Sequence, residues 1–223
     1  MSCRHCKAIA IEEHFDQKYV AKELQLYRTE GPENTTEALI DALIAEGVSG
    51  MTHLDIGGGV GAIQHGLLRA GVSSCISVEA SSAYIEAAKE EAQRQGHAES
   101  IKHQHGNFVD LAAEIPQCDI VTLDRVICCY HGVEDLVEKS SALSGKLYGV
   151  VYPLNNRKVR ILGAWENLTY RLHRSSFRFF MHPTEVVEDI VRRNGFERRF
   201  YREIGTWQIV VYGRVAEPVK ERS

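Results

Sequence analysis

The 223-residue chain lacks several features that would define a compartment or a fold on their own. It has no apolar run approaching the roughly 18 residues that cross a bilayer. Its first residues, Met-Ser-Cys-Arg-His-Cys, lack the apolar core of a signal peptide. The six cysteines show no regular spacing that would predict a disulfide framework, so we expect reduced thiols in a cytoplasm. These absences favour one ordinary globular domain without a membrane span.

The chain also lacks an excess of basic charge. Its formal net charge is −4, which argues against nucleic acid as its partner. Basic residues gather in the C-terminal third, where they would attract an anionic substrate or simply form solvated faces. We therefore expect a small-molecule partner and a protein that is a monomer or a homodimer.

A second metal-binding cysteine pair is missing. Cys3 and Cys6 form one Cys-x-x-Cys pair, with His5 and His14 nearby. A structural zinc usually needs two such pairs at suitable spacing. We therefore expect no metal site, and we predict that residues 1–13 form a flexible tail.

From residue 51 onward the sequence alternates between strand and helix patterns. Strands are predicted over 51–56, 75–78, 101–106, 119–127 and 146–152, and helices over 62–70, 81–95 and 133–143. Such alternation indicates a parallel sheet covered on both faces. Two further strands, 197–204 and 207–214, are separated only by Gly205 and Thr206, which predicts an antiparallel hairpin.

The regions outside this alternation are predicted to be helical. Helices are expected over 15–28 and from Asn34 to Gly47, where Asn34 and Glu37 have the spacing of a capping box. We interpret 14–50 as N-terminal helices that form a candidate lid. The main domain is predicted over 51–216, with a helical insertion at about 154–182, and 217–223 as a tail. Pro183 opens a last helix that ends at Asn194.

A glycine-rich run, Gly57-Gly58-Gly59-Val60-Gly61, follows the first predicted strand and opens a helix. Such a loop lets a ligand approach the backbone at the carboxyl ends of parallel strands. The spacing also fits a dinucleotide fingerprint, with Glu79 placed to hold ribose hydroxyls in either case. Asp55 would repel a pyrophosphate but attract the ammonium and sulfonium groups of S-adenosylmethionine, so it favours that cofactor.

These residues resemble the motifs of class I S-adenosylmethionine-dependent methyltransferases over about 52–214. The run from His53 to Gly61 resembles their first motif, Val78-Glu79-Ala80 the second, Gly106-Asn107-Phe108 the loop after the third strand, and 119–126 the fourth motif. The third loop usually carries Asp, where this chain has Asn107. The resemblance implies a Rossmann-like, doubly wound α/β fold with seven strands and a closing hairpin. It also implies a cofactor site made of Asp55, Gly57, Gly58, Gly59, Gly61, Glu79, Ala80, Asn107, Phe108, Asp124 and Arg125.

Within this family, the run 176–182 resembles magnesium-protoporphyrin O-methyltransferases. Methyl transfer needs mainly alignment, so few catalytic residues are expected. Tyr130 and His131 follow the fourth motif and His182 lies at the end of the insertion, and these three are our candidates for catalysis. Arg178 and Tyr27 are candidates for binding the substrate. A non-catalytic module that binds the cofactor and a nicotinamide-dependent oxidoreductase are the alternatives.

Overall fold

The computed structural model describes residues 10–215, in which strands and helices alternate from residue 52 onward. The strands are β1 (Thr52–Ile56), β2 (Ser74–Glu79), β3 (Ile101–His105), β4 (Cys118–Asp124), β5 (Ser144–Pro153), β6 (Phe196–Ile204) and β7 (Trp207–Arg214). The helices are α1 (Gln17–Glu30), α2 (Asn34–Ala45), α3 (Ala62–Arg69), α4 (Ser82–Gln95), α5 (Phe108–Leu111), α6 (Val133–Ala142), α7 (Arg157–Leu172) and α8 (Thr184–Arg193).

All seven strands join in one sheet, in the order β3-β2-β1-β4-β5-β7-β6. The first five strands pair in parallel, whereas β7 lies antiparallel between β5 and β6. The doubly wound sheet with a terminal antiparallel hairpin is therefore confirmed. Strand order reverses between β1 and β4, which is where open α/β sheets bind their ligands.

Helices cover both faces of the sheet because both faces are apolar. One core contains α5, α6 and α8 together with Leu123, Tyr148 and Tyr212 from the strands. The other contains α2 and α3, packed on Ile120 and Val211. Each strand of the central sheet is thereby buried on both sides, as parallel sheets require.

Helix starts agree with the sequence prediction in two of three cases. Ser81 accepts a hydrogen bond from the Tyr84 N–H at 3.3 Å and begins α4, as predicted. Pro183 precedes the first residue of α8. The capping box predicted at Asn34 is wrong, because Glu33 is the residue before α2 and Asn34 is already helical.

The N-terminal segment divides into two parts with different packing. Residues 10–14 are helical, so the tail predicted over 1–13 extends at most to residue 9; residues 1–9 lie outside the described residues, as do Cys3, His5 and Cys6. Leu39 and Leu43 of α2 are fully buried in the core. This burial leaves residues 10–30 as the candidate lid, rather than the whole of 14–50.

Candidate active site

Gly57, Gly59 and Gly61 form the turn between β1 and α3, and all three have φ values in the left-handed region, at 65°, 55° and 89°. That conformation favours glycine over every other residue. The Gly57 N–H donates to the Val78 carbonyl at 2.8 Å, which holds the loop against the end of β2. The loop thereby presents its backbone to a cavity at the carboxyl ends of the strands.

Gly58 has a different reason for being glycine, because its φ is not positive. A Cβ atom at this position would lie 2.2 Å from Asp55 Oδ2 and 2.6 Å from Gln64 Nε2. The loop therefore rests directly on a buried carboxylate and a buried amide. No substitution leaves this contact unchanged.

Asp55 lies beneath the loop and does not line the cavity. Its Oδ1 accepts from the Thr122 hydroxyl at 2.7 Å and its Oδ2 from Gln64 Nε2 at 3.0 Å. Burial raises the pKa of this carboxyl to about 6, against the hydrogen bonds from Thr122 and Gln64. The prediction that Asp55 faces the cofactor is not matched by this geometry; Asp55 supports the loop from behind.

Glu79 ends β2 and does line the cavity. One carboxylate oxygen accepts from the Ala80 and Ser81 N–H groups at 2.7 and 3.0 Å, and the other accepts from Gly59 N–H at 3.3 Å. Burial raises the pKa of Glu79, while these backbone donors favour the charged form. The carboxylate is thus fixed between the glycine loop and the start of α4.

Asp124 ends β4 and brings a second buried carboxylate to the cavity. Its Oδ2 accepts from the Thr36 hydroxyl at 2.5 Å. Its Oδ1 is buried without a hydrogen-bond partner among residues 10–215, although Arg125 Nε lies 3.4 Å away. Burial raises the pKa of this carboxyl, partly offset by the Arg125 charge. A buried acceptor without a hydrogen bond is suited to a cationic donor from a ligand.

Arg125 holds a strained backbone conformation beside this acid, with φ at 59° in a residue other than glycine. Its guanidinium pairs with Glu33 Oε2 at 2.5 Å. Burial opposes its charge, but the carboxylates of Asp124 and Glu33 raise its pKa. The cation therefore stays charged within a cavity that otherwise carries acidic side chains.

Asn107 and Tyr130 meet across the cavity. Asn107 precedes α5, its Oδ1 accepts from the Val109 N–H at 3.4 Å, and its Nδ2 lies 3.2 Å from the Tyr130 hydroxyl oxygen. Ala80 and Phe108 line the same space, whereas Gly61 does not.

Four other candidates for catalysis or substrate binding lie outside the cavity: His131, His182, Arg178 and Tyr27. Their spacing in the sequence did not indicate this position. His131 packs edge-on against Phe180 at 5.3 Å, and His182 Nε2 donates to the Tyr130 carbonyl at 2.8 Å. Burial lowers the pKa of His182, so it is neutral at pH 7. Arg178 and Tyr27, the candidates for substrate binding, form hydrogen bonds with other parts of the protein. The Arg178 guanidinium donates to the carbonyls of residues 175 and 177, and the Tyr27 hydroxyl accepts from Gln95 at 3.2 Å.

An aromatic roof, which sequence reasoning missed as a unit, covers the cavity. We give this name to the side chains His14, Phe15, Tyr19, Tyr170 and Phe177. His14 stacks on Phe177 with ring centroids 4.0 Å apart, and Tyr170 meets Phe177 edge-on at 5.4 Å. The roof joins the segment before α1 and the first turn of α1 to the insertion after β5. The signal in the sequence was only the closeness of His14, Phe15 and Tyr19.

The cavity between loop and roof has a volume of about 370 Å³. The groups that face this cavity from the ends of β1 to β4 are the glycine backbone, the two buried carboxylates and the Asn107 amide. They fit a ligand that carries an ammonium group, hydroxyl groups and a nucleobase. A family profile described as a methyltransferase domain matches residues 54–143, the part of the chain that contains all four strand ends. Residues 54–143 therefore carry a methyltransferase domain. Such a domain supports an enzyme that transfers a methyl group and uses S-adenosylmethionine as its cofactor.

Solved methyltransferases share this fold. The chain is similar to magnesium protoporphyrin IX methyltransferase from Synechocystis PCC 6803 with bound S-adenosylhomocysteine, at a TM-score of 0.72 and 16% identity, over 92% of this chain and 98% of that one. It is also similar to an O-methyltransferase family protein from Burkholderia thailandensis, at a TM-score of 0.71 and 16% identity, over 92% of this chain and 62% of that one. No curated protein sequence matches the chain.

Two further findings concern residues 10–215. Within this range no helix combines the length and apolar character needed to cross a membrane. The same residues contain no group of three or more His, Cys, Asp or Glu side chains placed to hold a metal ion.

Proposed function

We propose that this methyltransferase acts on a small-molecule acceptor held beneath the aromatic roof. The observation that carries the proposal is that one cavity is lined both by the glycine loop and by the roof. Its volume of about 370 Å³ is in the range of small-ligand sites. A macromolecular acceptor would need an open groove, and the net charge of −4 gives no attraction for nucleic acid.

The residues at the strand ends divide into holding and supporting roles in this proposal. Glu79 and Asn107 would bind the ribose and the base, as the resemblance implies. Asp124 would accept a hydrogen bond from the cofactor ammonium, because its Oδ1 lacks a hydrogen-bond partner among the described residues. Asp55 would act as a positioning residue through Gly58 and Gln64.

Bound S-adenosylmethionine supplies a methyl group that is already activated for displacement. The protein's own task is to align the acceptor and to exclude water. Tyr130 lines the cavity and would orient the acceptor, with its backbone fixed by His182. Burial lowers the pKa of His14, so its ring is neutral at pH 7 and suited to accept a proton from a hydroxyl or amine acceptor.

We add two assignments to this proposal. Residues 10–30 and the insertion at about 154–182 would act together as the cover of the acceptor site, since both contribute to the roof. Cys75, Cys118, Cys128 and Cys129 are free thiols, which supports a reducing compartment such as the cytoplasm.

The test uses the full chain with methyl-labelled S-adenosylmethionine and a cell extract separated into small molecules, RNA and protein. We expect label in the small-molecule fraction. Phe177→Leu in the roof should lower this label at least tenfold, while S-adenosylhomocysteine still raises the melting temperature. Phe200→Leu on the edge strand β6 is the matched control and should leave labelling unchanged. Label confined to RNA or protein would refute a small-molecule acceptor.

A further inference from the structure

The helix α7 has an inner face that is firmly attached to the rest of the protein. Val159 and Gly163 are buried, and a Cβ at Gly163 would meet the Phe179 ring at 3.2 Å. The Asn167 side chain makes two hydrogen bonds to the Phe179 backbone, at 2.7 and 2.8 Å. Glu166 and Tyr170 line the cavity. The orientation of α7 is therefore fixed, and so is its outer face.

That outer face is apolar and exposed. Its side chains are Ile161 (70% exposed), Leu162 (52%), Trp165 (66%), Leu168 (45%) and Leu172 (73%). Residues 161, 165, 168 and 172 are spaced by three or four, so they share one side of the helix. These five residues are half of the ten large hydrophobic side chains exposed within residues 10–215. Single exposed apolar residues are ordinary, but a contiguous row marks an interaction surface.

The charges on α7 itself are almost all positive. Helix α7 carries Arg157, Lys158, Arg160 and Arg171 against the single acid Glu166, although the whole chain has a net charge of −4. Within residues 10–215 no ion pair is found for these four cations. Three of them lie in the first turn of α7, where the helix dipole disfavours positive charge. Their placement thus costs helix stability and points to a partner outside the molecule.

We propose that α7 docks the enzyme on the surface of an anionic lipid membrane. An apolar row with Trp and Leu, flanked by Lys and Arg, is the composition of helices that lie in the plane of a membrane interface. Anionic headgroups attract the basic flanks, and the row enters the boundary of the acyl chains. This surface binding is distinct from a membrane span and goes beyond the methyl transfer proposed above.

A second copy of the chain fits this face less well. In a symmetric pair the same patch meets itself. Paired antiparallel, two α7 helices would place the basic first turn of one against Arg171 and the following Arg174 of the other. Repulsion between like charges opposes that arrangement, whereas an anionic surface neutralises every basic group at once.

The experiment is flotation of the full chain with vesicles of phosphatidylcholine alone and of phosphatidylcholine mixed with phosphatidylglycerol. We expect binding to the anionic vesicles only, weakened by raised salt. The double variant Trp165→Glu and Leu172→Glu should reduce binding at least tenfold. Leu26→Glu, which adds the same charge at an exposed apolar residue of α1, is the matched control and should bind like the unmodified protein.

Tryptophan fluorescence gives a second and independent measurement. The chain has only two tryptophans, Trp165 on the outer face and Trp207 at the cavity. Anionic vesicles should shift the emission of the protein to shorter wavelength, and Trp165→Phe should abolish the shift while retaining binding. A melting curve of the double variant with S-adenosylhomocysteine shows whether that variant is folded. If it is not, the milder variant Trp165→Phe still tests the proposal.

Three results would overturn the proposal. They are the absence of flotation with anionic vesicles, equal binding by the folded double variant, and an emission shift that persists in Trp165→Phe. A concentration-dependent dimer that the double variant abolishes, without vesicle binding, would assign this face to a second copy instead. Each readout is independent of methyl transfer, so a failure here leaves the proposed acceptor class untouched.

Discussion

Replacing Gly58 by alanine perturbs the support of the glycine loop at a single defined contact. The added methyl would lie 2.2 Å from Asp55 Oδ2 and 2.6 Å from Gln64 Nε2, and neither atom belongs to a flexible surface side chain. Either the loop moves or the hydrogen bond of 3.0 Å between Gln64 and Asp55 breaks.

The cost follows from two effects. Overpacking a buried site costs about 1–3 kcal/mol, and loss of a hydrogen bond to a charged group costs about 1.5–3 kcal/mol. The two costs are not fully additive, because breaking the hydrogen bond lets the side chains move and so reduces the overpacking. We therefore expect the free energy of unfolding to fall by about 2–4 kcal/mol. For a chain of this size that lowers the melting temperature by about 5–15 °C. Affinity for S-adenosylhomocysteine should fall at least tenfold, since the loop backbone is displaced.

Urea unfolding followed by circular dichroism and calorimetric titration with S-adenosylhomocysteine measure the two effects. Gly132→Ala is the matched control, because Gly132 has a φ of −94° and its Cβ would meet only Tyr130 Cε1 at 3.9 Å. We expect this control to change stability by no more than about 0.5 kcal/mol. If Gly58→Ala were as stable as the control and bound the ligand normally, the loop would not rest on Asp55 and Gln64.

Three other predictions concern the carboxylates of the site. Glu79→Gln replaces one of the two carboxylate oxygens, which together accept from three backbone N–H groups, by an amide N–H₂. Affinity for S-adenosylhomocysteine should therefore fall at least tenfold by calorimetry, whereas Glu90→Gln on the exposed side of α4 should have no effect. Asp124→Asn keeps an acceptor for Thr36 but removes the charge, and the same titration should show about tenfold weaker binding. Asp55→Asn should change how the stability of the ligand-free protein depends on pH. Its folded pKa of about 6 lies above the usual 3.8, so the carboxyl destabilises the fold progressively as pH rises from about 4 to about 6. The shift of about two units corresponds to about 3 kcal/mol, and urea unfolding of the variant should lack this loss.

Each of these has a result that would count against it. Unchanged affinity in Glu79→Gln or Asp124→Asn would remove that carboxylate from the cofactor site. A parallel pH dependence of stability in Asp55→Asn and the unmodified protein would mean that Asp55 does not titrate in this range.

The sequence by itself determined the order of the strands and of the longer helices, the glycine turn and the closing hairpin. These features depend on local periodicity and on turns that only glycine allows, such as the positive φ at Gly57 and Gly59. The placement of Glu79 was predictable for the same reason, because it follows the second strand of a parallel sheet directly. The capping box predicted at Asn34 was wrong because α2 begins one residue earlier than expected: Glu33 is the capping position, and Asn34 is the first helical residue.

Only the tertiary structure decided which acid faces the cavity. Asp55 and Asp124 both lie near the carboxyl ends of neighbouring strands, but Asp55 points beneath the loop toward Thr122, and Asp124 lines the cavity. The stacking of His14 on Phe177, across more than 160 residues, depends on how the insertion packs over the sheet. The sequence likewise shows an apolar row in α7, but only packing shows that this row faces outward, because its spacing is the same whether a helix buries that side or exposes it.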